Sequence, residues 1–194
     1  MNEVCILLLK RVFDLTLAIL AGSVLWLPIA LIALAVRLSS PGPALYWSDR
    51  MGKGNRLFKM PKFRSMHVDT PAVATHLLTN PDACLTPIGA FLRKTSLDEL
   101  PQLWSILTGD MSFVGPRPAL YNQQDLIELR THFGIEQLVP GLTGWAQING
   151  RDELRIDEKV AFDAEYMRQR SLCFDCYILW RTAIKVIQGD GVSH

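Results

Sequence analysis

From Leu15 to Val36 the chain runs without a charged side chain, LTLAILAGSVLWLPIALIALAV, between Asp14 and Arg37. A straight helix over this stretch reaches about 33 Å at 1.5 Å per residue, enough to cross a bilayer, so membrane association is expected. The segment is not uniform, however. Pro28 has no N–H for the carbonyl of Val24 and pushes a helix to bend, while Gly22 and Ser23 loosen the same region. Lys10 and Arg11 precede the segment and Arg37, Arg50 and Lys53 follow it, so the positive-inside rule picks no direction. The pattern therefore predicts a re-entrant segment within residues 1–40, a helix broken around Ser23 and Pro28 with both ends on one side of the membrane. A single spanning helix and a signal peptide cleaved near "ALA" at 33–35 are the alternatives.

Beyond it the periodicity changes. Alternation around "RLFKM" fits a short strand or hairpin, and residues 67–90, rich in Thr, Pro and Ala, read as an irregular connection. An apolar helix follows through Leu107, then amphipathic helices at 120–137 and 157–170, separated by the glycine-rich "VPGLTGWAQINGR". The last helix, "FDCYILWRTAIKVI", has the composition of one lying at a membrane interface. The expected fold is α+β and mainly helical: the membrane segment, then a small cytoplasmic catalytic domain over 41–194 with interfacial amphipathic helices.

Charge and cysteines narrow the chemistry. A net charge of +1 gives the whole molecule no strong electrostatic partner, and no nucleic acid is expected. Four cysteines are too few and too irregular for a disulfide framework, and Cys173 and Cys176 of "CFDC" lack a second pair at ligand spacing, so they read as helix residues. Locally the picture differs. Arg50, Lys53, Arg56, Lys59, Lys62 and Arg64 fall in one stretch with no acid among them. Such a cluster beside a membrane segment suits anionic lipid heads, nonspecific nucleic-acid contact or a phosphorylated substrate.

In "TSLDELPQL", residues 95–103, Asp98 and Glu99 stand side by side before Pro101. A helix capped by Ser96 would place Glu99 in a capping box, but Pro101 would then clash with the carbonyl of Leu97. A helix capped by Asp98 puts Pro101 in the first turn, where a missing N–H costs nothing, and leaves Glu99 without a capping role. Glu99 is then either a favourable solvent-facing acid in the first turn or part of a site. The functional reading uses the same geometry, because a helix start beside Arg93 and Lys94 offers N–H groups and positive potential to a phosphate. Pro116 and Pro118 stiffen the backbone around Arg117 in "FVGPRP" and would hold its guanidinium for bidentate phosphate contact.

The blocks "KRVFDL", "SSPGPALYW" with "RMGKGNRLFKMPKFRSM", "LRKTSLDELPQLWSILTGDMSFVGPRP" and "PGLTGWAQINGR" cover nearly the whole chain. In these it resembles the bacterial sugar transferases, specifically the small monotopic polyprenyl-phosphate phosphoglycosyltransferases, without the extra N-terminal membrane helices of larger members. The resemblance implies transfer of a sugar 1-phosphate from a UDP-sugar to undecaprenyl phosphate, with release of UMP, as the first membrane step of surface glycan assembly. It further implies Mg2+, a bacterial inner-membrane location with the catalytic domain on the cytoplasmic face, contact with membrane lipids, and a catalytic dyad at Asp98 and Glu99 that also serves as the metal site.

On this reading Asp98 attacks the β-phosphorus and forms an aspartyl-phosphosugar intermediate, with Glu99 holding metal or positioning the acceptor. Lys62, Arg64, Arg93 and Arg117 are the candidates for phosphate contact, and Trp145, Gln147 and Arg151 for the nucleotide or sugar wall, although a Trp in a glycine-rich turn is as often core. Two rivals remain: a noncatalytic membrane adaptor, and a Mg-dependent nucleotide-sugar pyrophosphatase.

Overall fold

A computed structural model describes residues 3–71, 80–150 and 154–188. It opens with helix α1, Glu3–Ser39, long and apolar enough to cross a membrane. The expected break is not there. The helix continues through Ser23, whose hydroxyl donates to the Leu20 carbonyl at 2.8 Å, and through Pro28. Pro28 lies on the exposed side, while the facing side keeps an unbroken seam of Ala18, Ala21, Leu25, Ile29, Ile32 and Val36. That three-and-four spacing lays one stripe of the helix on the rest of the protein across the proline. Val24, Leu27, Leu31, Leu34 and Leu38 form much of the opposite, exposed apolar surface.

Strands β1 (Leu45–Met51) and β2 (Leu57–Phe63) form the expected antiparallel hairpin, in register Leu45↔Phe63 to Met51↔Leu57. Helix α2 (Gly89–Lys94) leads into a 3₁₀ segment, Leu97–Gln102, that packs on β2 and runs on into α3 (Leu103–Thr108). Strand β3 (Ser112–Val114) pairs in parallel with β4 (Gly141–Thr143), and α4 (Gln124–His132) lies in the crossover between them. Helices α5 (Trp145–Asn149), α6 (Ile156–Gln169) and α7 (Leu172–Gln188) complete the order. Gly115 and Gly144 meet backbone to backbone, and a Cβ on Gly144 would collide with the Gly115 carbonyl, so the glycine-rich loop is tight because it passes directly beneath the β3 exit.

Among the described residues the core has three apolar clusters, and α1 contributes to two of them. Ala18 packs with Met60, Leu103, Ile106 and Met111, and Val36 with Phe63 and Leu92. The third joins Val114, Leu126, Ile135, Ile148, Val160 and Ile178 from β3, α4, the 3₁₀ turn Ile135–Gln137, α5, α6 and α7. Both ends of α1 are tied to the same body. Lys10 meets Asp175 at 2.6 Å, Arg11 donates to the carbonyls of Ile106 and Leu107 at 2.6 and 2.9 Å, and Asp14 accepts from the Phe113 amide at 3.2 Å. At the far end Arg64 donates to the carbonyls of Ser40, at 2.8 Å, and Pro41.

Candidate active site

The carboxylate pair arises from a break in helical continuity. Helix α2 stops at Lys94, Ser96 takes a left-handed conformation at φ 55°, and the chain re-enters as the 3₁₀ segment with Asp98 and Glu99 in its first turn. Neither acid caps the helix, and Ser96, which precedes the 3₁₀ turn, makes no side-chain cap bond either. This replaces the expected start at Asp98: the tighter 3₁₀ winding carries Pro101 inside it, and the α-helix proper begins only at Leu103. A non-glycine residue in the left-handed region is strained, and here the strain lies immediately before the acids.

Both acids turn toward Lys62 on β2. The Lys62 ammonium is 2.7 Å from Glu99 Oε1 and 3.7 Å from Asp98 Oδ2, and Arg117 Nη2 reaches the same Glu99 oxygen at 2.8 Å. The cluster draws on three parts of the chain: Lys62 from β2, the two acids from the 3₁₀ turn and Arg117 from the loop after β3. Burial raises the Glu99 carboxyl, but the charges of Arg117 and Lys62 and their hydrogen bonds outweigh it and hold Glu99 well below the usual carboxylate range. Asp98 is pushed up, first by burial and then by the Glu99 charge, against the pull of Lys62, Arg117 and Arg93. Two adjacent acids thus receive opposite electrostatic treatment.

The structure therefore brings Lys62 and Arg117 onto the dyad and Arg93 within its electrostatic reach. Arg64 goes elsewhere. It is 4% exposed and spends its guanidinium on the carbonyls that follow α1, so it closes the end of that helix instead of facing a phosphate. Trp145 is likewise committed: its indole N–H donates to Glu165 at 2.8 Å and its ring packs against Phe174 with centroids 5.1 Å apart, in the aromatic cluster between α5, α6 and α7. Gln147 is enclosed next to Gly144 with neither amide atom hydrogen-bonded. Arg151 lies outside the described residues. Cys173 and Cys176 are free thiols exposed on α7.

Sequence reasoning missed the residues that hold the Arg117 loop. Prolines 116 and 118 have no N–H, and the loop is fixed through its carbonyls instead: Pro116 accepts from Gly141 N at 2.9 Å, Arg117 from Arg130 at 2.7 Å and Pro118 from Arg50 at 3.0 Å. Behind them Asp163 binds Arg130 at 2.7 Å, and Asp175 accepts from Lys10 and from the Tyr166 hydroxyl, at 2.6 and 2.8 Å. The available signal was an acid on the apolar stripe of an amphipathic helix, in "VAFDAEY" and "FDCYILW".

With this geometry in view, the comparisons are specific. The chain matches the bacterial sugar transferase family over residues 5–189, and it belongs to that family. It is 44% identical over 186 residues to the UDP-glucose:undecaprenyl-phosphate glucose-1-phosphate transferase of Escherichia coli strain K12, covering 92% of this chain and 40% of that protein. It is 35% identical over 198 residues to the undecaprenyl-phosphate galactose phosphotransferase of Salmonella typhimurium, covering 94% and 41% respectively. An uncharacterized sugar transferase of Bacillus subtilis, EpsL, matches at 37% identity over 96% of this chain and 91% of its own length. The chain thus spans about two-fifths of the first two relatives.

Proposed function

We propose that this protein transfers a sugar 1-phosphate from a UDP-sugar to undecaprenyl phosphate, releasing UMP. The observation that carries the reading is the convergence of Lys62 and Arg117 on one oxygen of Glu99 beside the buried, less fully compensated Asp98. Family membership and the names of the relatives supply the substrate classes.

Asp98 attacks the β-phosphorus of the UDP-sugar. The bond from that phosphorus to its bridging oxygen breaks, UMP leaves, and an aspartyl-phosphosugar remains. A phosphate oxygen of undecaprenyl phosphate then attacks the same phosphorus, and the Asp98 carboxylate is released. Lys62 and Arg117 hold Glu99 ionised and present positive charge to the diphosphate, with Arg93 adding to the field at Asp98. The donor set suits Mg2+: a hard cation that keeps several waters and takes one or two carboxylates plus substrate phosphates. Asp98 and Glu99 would hold it, and when bound it would neutralise phosphate oxygens as charge builds on the leaving UMP.

The acceptor lipid accounts for α1. A helix that stood across a bilayer would carry its far end across roughly 30 Å of hydrocarbon, away from the extramembrane body. Here Lys10, Ala18, Leu25, Val36 and the chain just past Ser39 all touch that body. We therefore place α1 within one leaflet, with both ends on the cytoplasmic face of the inner membrane and its exposed apolar side in lipid.

Relatives of similar identity carry glucose, galactose and N-acetylgalactosamine names, so the sugar is left to experiment. The purified protein is incubated with Mg2+, undecaprenyl phosphate and a panel of UDP-sugars, and both UMP and lipid-phase sugar are measured. Equal yields of the two are expected for one sugar class. UMP without lipid-linked sugar would indicate a pyrophosphatase, and neither product would indicate an adaptor.

A further inference from the structure

We propose that Arg130, itself fixed by Asp163, is a positioning residue that aims Arg117 at the dyad; this rests on the reading of the Asp98 site given above. The Arg130 Nε and Nη2 atoms grip a single oxygen, Oδ2 of Asp163, at 3.0 and 2.7 Å, and the remaining arm, Nη1, donates to the Arg117 carbonyl at 2.7 Å. The Asp163 side chain is 2% exposed and that of Arg130 11%, so the fork is shut away from water. That carbonyl belongs to the same residue whose guanidinium meets Glu99 Oε1 at 2.8 Å. Position, not charge, passes along the chain from α6 through α4 to the site.

The loop needs such a hold. With Pro116 and Pro118 unable to donate, the loop is held through its carbonyls, and Arg130 is the group found on that of Arg117 itself. A guanidinium is required because its rigid fork serves Asp163 and the carbonyl at once, in fixed relative geometry, whereas an ammonium is a point charge on a flexible stem. The alternative is that Asp163 and Arg130 merely staple α6 to α4. A staple would affect stability in proportion to its loss and leave no particular signature at Arg117.

The test uses the full chain in detergent. Arg130→Lys, which retains a cation opposite Asp163, is expected to lower kcat/KM by about tenfold to a hundredfold, the scale set by small misplacements of a positioned group. In an Arg117→Ala background the same substitution should add less than about twofold, because the group it positions is gone. Hydrogen exchange at the amides of Gly115, Arg117 and Ala119 should quicken in Arg130→Lys while α4 and α6 retain wild-type protection, and Asp163→Asn should reproduce the pattern. A full additive loss in the Arg117→Ala background, or wild-type exchange in the loop, overturns the proposal. If the wild-type protein transfers no sugar phosphate, the catalytic reading fails and the exchange measurement still decides whether Arg130 holds the loop.

Discussion

The dyad and the buried acids behind it are built from the same residue types, yet they are wired differently. Asp175 is closed on both oxygens, by Lys10 on one and the Tyr166 hydroxyl on the other, and Asp163 is matched by the single guanidinium of Arg130. At the dyad two cations crowd onto one oxygen of Glu99, while the Lys62 ammonium stands 3.7 Å from Asp98. Burial raises the carboxyls of Asp98, Asp163 and Asp175 alike, and Glu99 alone of the four is drawn below its ordinary range. Each structural acid is matched by one cation, Asp163 by Arg130 and Asp175 by Lys10. A site for an anionic substrate concentrates cations beyond what one acid needs and leaves its neighbour free to react.

The largest effect that tests this contrast is at Asp98. Asp98→Asn should reduce UMP release by about a thousandfold or more, as removal of a nucleophile does, while the fold survives. Stability should hold or rise at neutral pH. The folded-state pKa of Asp98 is raised, so the ionised form is disfavoured by folding, and an uncharged amide escapes that cost. Turnover close to wild type would remove Asp98 from the chemistry.

Asp175→Ala should do the reverse. It strands the Lys10 ammonium, whose side chain is 21% exposed, together with the buried Tyr166 hydroxyl, and a broken buried pair costs about 3–5 kcal/mol. Urea unfolding should show that loss at unchanged m-value, with kcat per folded molecule within about threefold of wild type, since separate sites combine nearly independently. The comparison would collapse if stability were kept and turnover lost.

A sharper test lies within the basic stretch of β2 and its exit, where Lys62 and Arg64 are two residues apart and do different work. Arg64→Lys loses hydrogen bonds to the carbonyls of Ser40 and Pro41 and should cost about 1–3 kcal/mol, with the KM for the nucleotide sugar unchanged. Lys62→Met should instead weaken nucleotide-sugar binding and turnover together. Equal effects on KM from both would return Arg64 to the site.

That pair also shows what the sequence could and could not reveal. Periodicity was sufficient for the hairpin, α6 and the apolar length of α1, because each depends on local spacing. Asp98 and Glu99 stood out because adjacent acids before a proline are hard to explain by a single cap, and the family resemblance singled them out as a pair. Lys62 and Arg64 could not be told apart, since both are basic residues in one extended stretch and only the packing of α1 decides that one of them meets carbonyls. The break at Pro28 was expected from the local cost of a missing N–H, and a seam of tertiary contacts from Ala18 to Val36 holds the helix through it. Arg130 and Asp163 were invisible because their partners are a backbone carbonyl and each other, 33 positions apart.

The smallest expected effect concerns acid stability, and its sign separates the two dyad members. Glu99 has a folded-state pKa held below its unfolded value of about 4.3, so its ion pairs contribute stability that is complete above that value and is lost as pH falls toward the folded-state pKa. Asp98 runs the other way: its folded-state pKa is raised, and protonation on acidification relieves a cost. Between about pH 5 and pH 3, Glu99→Gln should flatten the acid limb of the stability curve, by no more than the roughly 1.4 kcal/mol per pH unit that one proton allows. Exposure of Arg117, whose side chain is 31% accessible, screens the pair and keeps the change below that ceiling. Asp98→Asn should steepen the same limb, because the compensating protonation is gone. Chemical denaturation at several pH values reads both slopes, and parallel slopes in the two variants would mean that the neighbouring acids share one environment after all.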